Sequence, residues 1–243
     1  YIMKFSEKWL REWVNPPLAN EELIAKLTLA GLEVDSSEPV AGEFSGIVVG
    51  QVMSVESHPD ADKLKICKVN VDSDELLSIV CGAPNVRQDL KIPVAVVGAV
   101  LPGNFKIKKA KLRGEPSFGM LCSAKELGMV DNINGLMELA SDAPVGSDIR
   151  VYLELEDLSI DVDLTPNRSD CLGIAGIARE VGVLTGCDLT EWTEDVVKVT
   201  SQKQVPITVS SPAACPSYLG RVIENVNTKA LTPVWMQEKL RRS

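Results

Sequence analysis

Five cations fall within eight residues of this chain: Lys106, Lys108, Lys109, Lys111 and Arg113. Ammonium and guanidinium groups spaced so closely neutralise successive phosphates of a polyanion and displace its condensed counterions. Recognition of a nucleic-acid backbone is therefore the first chemistry this stretch suggests. Lys63 and Lys65 form a second, shorter basic block, and Ser117 and Met120, just beyond the cationic row in GEPSFGML, offer a hydroxyl and a soft apolar group for a sugar or a base edge.

Other chemistries have weaker support. Cys81, in the turn CGAPN, could act as a nucleophile with His58 as its base, but a buried cysteine behaving as a small hydrophobe is the plainer reading. His58, Asp60 and Asp62 alternate like metal ligands. They lack the glycine and distal glutamate of an EF-hand loop and the second histidine of a zinc site, so a polar turn stiffened by Pro59 is expected and no metal ligand is assigned. Trp9, Trp13, Trp192 and Trp235 could stack on bases, although Trp9 and Trp13 read as helix core. Arg168 and Asp170 in TPNRSD read as a structural salt link or helix cap, with a subunit contact as the alternative. One histidine leaves little room for acid-base chemistry, and no catalytic residue is assigned.

The cationic row must be carried by a strand. From Lys106 to Arg113 the apolar positions are Ile107, Ala110 and Leu112, so the period of two breaks once. One β-bulge at Lys108 and Lys109 would turn all three inward and set the five cations on the outer face. The competing reading is a strand edge kept soluble by lysines.

Around that strand the chain alternates between short strands and turns. Ile47–Val55, Leu64–Val71, Leu76–Val80, Ile92–Val97 and Lys106–Leu112 are candidate strands, and Gly135–Leu139 is expected to pair with the first. Ser123–Leu127 reads as a short helix plugging one end. Five or so such strands suit an OB-type Greek-key barrel spanning residues 44–147.

Both flanks are too small to fold alone. Ser6 should cap a helix over Glu7–Val14 and Asn20 a second one ended by Gly31. After Asp148, the strand pattern Leu158, Ile160, Val162, Leu164 leads to TPNR, and then to a helix capped by Ser169 or Asp170 that carries Leu172, Ala175, Ala178, Val181 and Leu184. Joining residues 1–43 and 148–190 into one discontinuous α+β domain, with the barrel inserted in it, is the simplest solution. Residues 191–243 read as an acidic linker, two strands at Val205–Ser210 and Tyr218–Val226, and a helix capped by Thr232, the start of a truncated third domain. Tyr1 and Ile2 precede Met3, which reads as the natural start.

Composition narrows the class. The 243 residues are 45% apolar and 24% charged, which suits an ordinary globular protein. Six dispersed cysteines without a C-x-x-C pair give a reduced, cytoplasmic pattern, and no long apolar run points to a membrane. The net charge of −9 opposes a general nucleic-acid binder. Residues 44–147, however, hold 11 Lys and Arg against 12 Asp and Glu, so most of the acidity lies in the flanks. With only Phe44, Phe105 and Phe118 near the barrel for stacking, any RNA binding should be weak and mainly electrostatic.

The quoted blocks resemble a known family. HPDADKL (58–64), CGAPNV (81–86) and AKLRGEPSFGML (110–121), followed by SAKE, are similar to the tRNA-binding OB-fold domain of the EMAP-II type. The flanks MKFSEKWLREWV (3–14) and DVDLTPNRSDCLGIAGIAREVGVLTG (161–186), with YLGRVIENVNTKALTPVWMQEKLRR (218–242), resemble the beta-subunit family of bacterial phenylalanyl-tRNA synthetases. The resemblance implies a ligase that joins phenylalanine to its tRNA with ATP and magnesium, as an alpha2-beta2 heterotetramer whose alpha subunit holds the catalytic site. It also implies that 191–243 begins an editing (B3/B4-type) domain whose pocket lies beyond Ser243. On this reading the fragment binds no cofactor, and Lys63, Lys65, Lys106, Lys108, Lys109, Lys111, Arg113, Ser117 and Met120 are the expected RNA contacts. A barrel serving only to dock subunits, or a free-standing tRNA chaperone, are the alternatives.

Overall fold

The computed structural model describes residues 2–129, 135–193, 196–230 and 232–243. Among these the chain runs β1 (Ile2–Ser6), α1 (Glu7–Trp13), α2 (Asn20–Leu29), β2 (Glu33–Pro39), β3 (Ser45–Ser57), β4 (Lys65–Asn70), β5 (Leu77–Cys81), β6 (Lys91–Leu101), β7 (Phe105–Lys106), β8 (Ala110–Leu112), β9 (Glu115–Ser117), β10 (Gly119–Leu121), α3 (Ile149–Tyr152), β11 (Leu158–Asp163), α4 (Ile174–Thr185) and α5 (Val234–Arg241). Two compact units result: Tyr1–Thr190 with Pro233–Ser243, and Glu191–Thr232.

Ser6 closes β1 and caps α1, its Oγ accepting from the Trp9 N–H at 3.0 Å. The second helix starts one residue earlier than its asparagine suggested. Ala19 is the N-cap, and Glu22 accepts the Ala19 N–H, so Asn20 is already helical. Both helices lie on a three-stranded antiparallel sheet of order β1–β11–β2, with Phe5 opposite Ile160 and Val162 opposite Val34. The central strand comes from the far flank. Phe5, Leu10, Leu23 and Leu27 from the first flank share one buried cluster with Ile160, Val162, Ile177, Ala178 and Val181 from the second.

The far flank departs from its expected cap and helical face. Residues Pro166–Cys171 form a 3-10 turn, and Gly173, not Ser169 or Asp170, precedes α4. Ile177, Ala178 and Val181 face the core while Leu172 is exposed. At Gly176 a Cβ would stand 1.8 Å from the Asp170 carbonyl oxygen, so the turn rests directly on the helix backbone. That close approach displaces the helix start beyond TPNRSD.

The second sheet is antiparallel and curled, of order β10–β6–β3–β4–β5, with β7 on the end of β6. The register of β3 shifts against β4 between Val52 and Ser54, which lets this 13-residue strand bend across the sheet. Gly50 permits the bend, because a Cβ there would meet Val94 Cγ2 at 2.4 Å. The far edges approach each other where the Phe118 N–H donates to the Ser78 carbonyl at 2.8 Å. The arrangement is a half-barrel of OB-like type, with buried clusters around Val49, Ala95 and Leu127 and around Val69, Ile79 and Val94.

Three local expectations change. Gly135–Leu139 does not pair with β3; the Met137 N–H donates to the Cys122 carbonyl and the Leu139 N–H to the Lys91 carbonyl. Beside β3 runs 146–148 instead, with the Val49 N–H donating to Ser147 O at 2.8 Å. The expected strands Val205–Ser210 and Tyr218–Val226 are not formed; both stretches are largely exposed, with no ladder to complete them. The last helix is preceded by Pro233 as its N-cap rather than by Thr232. The plug at 123–127 is a 3-10 turn, Lys125–Leu127, in which Ser123 and Glu126 cap each other's backbone N–H groups.

Candidate nucleic-acid interface

The cationic row does not lie on one bulged strand. β7 ends at Lys106, Ile107 still bonds to Ala99, and Lys108 and Lys109 belong to no ladder. β8 then pairs only with β9, as a separate two-stranded ribbon in which Ala110 faces Ser117 and Leu112 faces Glu115. Ile107 is buried as expected, but Ala110 and Leu112 are exposed, Leu112 at 41%. A bulge would have kept the row on the sheet. The Lys108–Lys109 break releases it as a projecting hairpin instead.

The turn of that hairpin is Arg113–Gly114, with φ of +49° and +93°. Two successive positive φ values match the right-handed twist of a tight hairpin, and glycine takes the second without strain. Lys106, Lys108, Lys109, Lys111 and Arg113 are all exposed, as is Lys63 in the neighbouring loop. Among the described residues none of these six forms an ion pair with a protein carboxylate. Lys109 alone is steadied, its Nζ 5.6 Å from the Phe118 ring centroid.

The remaining expected contacts are placed differently. Lys65 is half-buried and its Nζ donates to the Val86 carbonyl at 3.2 Å. Ser117 is only 3% exposed; its hydroxyl accepts the Val80 N–H and donates to the Gly119 carbonyl, each at 3.1 Å. That hydroxyl ties the hairpin base to β5. Met120, half-buried on β10 opposite Ala95, packs against the core cluster around Val49 and Ala95.

His58 is 5% exposed and both ring nitrogens are engaged. Nδ1 accepts the Asp60 N–H at 3.1 Å, and Nε2 lies 3.0 Å from the Leu112 carbonyl oxygen. With its ring held this way, His58 is no general base for Cys81. Burial raises the Cys81 thiol further, and its sulfur accepts the Ala83 N–H. The spacing HPD signals a stiff turn but not the partner 54 residues away, which is why the Leu112 contact escapes sequence reasoning.

Arg168 makes the structural link expected of TPNRSD. Its guanidinium donates to Asp170 at 3.2 Å and Glu180 at 2.8 Å, and Nη2 lies 3.0 Å from Cys171 Sγ. Hydrogen bonding to Arg168 lowers the Asp170 carboxyl, and burial pushes the Cys171 thiol up to about 11. Asp170, Cys171 and Glu180 together have the donor spacing of a metal group, but the guanidinium already lies among them. Elsewhere Trp9, Trp235 and Tyr152 line a cavity of about 790 Å³, with Lys239 Nζ 5.4 and 5.9 Å from the two indole rings.

Residues 47–148 match the family model described as "Putative tRNA binding domain". Over 99% of its length the chain is similar to the phenylalanine–tRNA ligase beta subunits of Pectobacterium atrosepticum and Shewanella oneidensis, at 61% identity in each case. It spans about 30% of the length of those relatives. Among solved structures, the C-terminal domain of Plasmodium vivax p43 aligns at 25% identity and a TM-score of 0.32, covering 44% of this chain and 58% of that one.

Proposed function

This chain being a segment of a phenylalanine–tRNA ligase beta subunit, we propose that its residues 44–147 form an OB-type domain that holds tRNA through the projecting hairpin β8–β9. The observation that carries the reading is the coincidence of a tRNA-binding family match with six exposed cations on the end of β7, the segment leading into the hairpin, the hairpin itself and the loop of Lys63, none of them ion-paired among the described residues. Lys63, Lys106, Lys108, Lys109, Lys111 and Arg113 are the phosphate contacts. Lys65 and Ser117 position the loop and hairpin, and Met120 supports the sheet beneath. Because the contacts are point charges on a ribbon open to solvent, binding is electrostatic and largely blind to sequence.

The flanks 1–43 and 148–190 act as one scaffold into which the OB-type domain is inserted, and the shared sheet β1–β11–β2 supports that arrangement. Residues 191–243 form a linker and lead toward an editing domain, with α5 returning to pack beside α1 and β11. In the whole ligase, an alpha2-beta2 assembly with cytoplasmic localisation, phenylalanine is attached to tRNA with ATP and magnesium at a site on the alpha subunit. Among the described residues the one group with ligand-like spacing does not suit a magnesium ion, because it mixes a thiol with carboxylates already bridged by Arg168.

Lysine acylation footprinting tests the proposal. Bound tRNA should shield Lys106, Lys108, Lys109 and Lys111 while Lys4 and Lys26 stay reactive. Equal reactivity with and without saturating tRNA would count against it.

A further inference from the structure

The hairpin that carries the cations has little holding it. β8 and β9 pair only with each other, and the three residues of β8 are all exposed. An isolated two-stranded ribbon is marginal in water, so its orientation depends on tethers. At its base the Ser117 hydroxyl meets β5, and the Phe118 N–H bonds to Ser78. At its tip stands His58.

The ring of His58 can serve both partners in only one form. Nδ1 faces an N–H donor, that of Asp60, and must carry a lone pair; Nε2 faces a carbonyl, that of Leu112, and must carry the proton. A neutral Nε2–H imidazole meets both demands. The backbone of the same loop supports it, with the His58 N–H bonded to the Leu64 carbonyl and the Leu64 N–H to the Ala61 carbonyl. Leu112 directly precedes Arg113, and Lys63 lies in the histidine's own loop.

We infer that His58 is a positioning residue for nucleic-acid binding: its Nε2–H pins the carbonyl of Leu112 and so holds the Lys108–Arg113 hairpin in fixed register with the loop of Lys63. This rests on the tRNA-binding reading for its consequence, but the tether itself does not. Without the pin the cations remain, yet each must be ordered anew when the polyanion arrives. Affinity then falls although charge is unchanged.

Two substitutions separate the nitrogens. In His58→Asn the carboxamide oxygen stands near the place of Nδ1 and keeps the turn at Asp60, but the side chain is too short to reach Leu112. In His58→Gln the amide nitrogen extends about as far as Nε2 and restores the donor. The whole chain is used for each, with an unmodified tRNA transcript as probe. His58→Asn should speed amide exchange in β8 and β9 by about tenfold, leave protection in β3 and β6 as it was, and weaken tRNA binding by about tenfold. His58→Gln should recover most of both. Unchanged exchange in the hairpin of His58→Asn overturns the inference, and so does an equal loss of protection in β3 and β6, which would make His58 a general fold residue.

A measurement on the unaltered chain stands beside these. Because His58 is the sole histidine, its ring ¹⁵N shifts are unambiguous and should show an unprotonated Nδ1 and a protonated Nε2. The opposite tautomer, or averaging between the two, overturns the inference without any variant. If the unaltered chain fails to bind tRNA at low salt, the binding reading falls, while exchange and ring shifts still decide the tether.

Discussion

The guanidinium of Arg242 donates to the carboxylate of Asp157 at 2.9 Å, with the two side chains 6% and 0% exposed. The same carboxylate accepts the Ser6 hydroxyl and the Lys8 N–H, and Arg242 also reaches the Leu153 carbonyl and Glu238. One buried acid therefore joins the cap of α1 to the end of α5. Replacing Asp157 by Ala removes one of the two carboxylates that face the buried guanidinium and strands the Ser6 hydroxyl and the Lys8 N–H, and should cost about 3 kcal/mol in urea unfolding. Arg242→Met, which removes the charge but keeps volume, should cost less than Arg242→Ala.

Close backbone approach gives a second expectation. Gly176→Ala forces its Cβ into the Asp170 carbonyl, and Gly50→Ala drives one into Val94. Each should lower stability by about 1–3 kcal/mol. Gly114→Ala should cost less, since nothing lies within 4 Å of its Cβ and only the positive φ opposes it. Thermal unfolding of the three variants ranks them.

A pH effect follows from Arg87 and Glu138, joined at 2.7 Å. Hydrogen bonding to Arg87, with a further bond from Asn85, holds the Glu138 carboxyl below its ordinary value. A carboxyl depressed in the folded state stabilises above its unfolded pKa, and that stability is lost as pH falls through the folded one. Both side chains are substantially exposed, so the effect is small and salt-sensitive. Amide exchange at Leu136 and Leu139 should therefore quicken, relative to the intrinsic rate, as pH falls through the lowered pKa of Glu138, and Glu138→Gln should remove this dependence.

Thiol chemistry should divide the cysteines. Cys67, Cys81, Cys122 and Cys171 are buried, and burial lifts Cys67 to about 11 and Cys122 to about 12. Thiolate is the reactive form. Ellman's reagent at pH 8 should modify Cys187 and Cys215 first, and the buried four only at the rate of opening.

Legibility in the sequence varied with the range of the interaction. The Ser6 cap, the stop at Pro16 and the strand pattern of the half-barrel were readable because local chemistry decides them. β2, with the polar sequence EVDSSEP, was not anticipated; it forms because β11 supplies its partner from more than 100 residues away. The cationic row is legible as a run of charges, but its presentation on a separate hairpin is not. Periodicity alone allows a bulge at Lys108 and Lys109, whereas the chain turns at Arg113–Gly114 into a separate hairpin bonded to residues 37 and 54 positions away in sequence. The burial of Ser117 is not legible either, because a hydroxyl beside a basic run carries no mark of it.

Whether the hairpin cations bind tRNA is decided by a salt series. Affinity of the chain for an unmodified tRNA transcript is measured from low to moderate salt, beside a variant with Lys108, Lys109, Lys111 and Arg113 changed to Glu. The logarithm of affinity should fall linearly with the logarithm of salt concentration, and the variant should show no binding. A single Lys111→Gln should reduce the slope by about one. Equal affinity and slope in the charge-reversed variant, or no binding by the unaltered chain at low salt, would contradict tRNA binding by the hairpin cations.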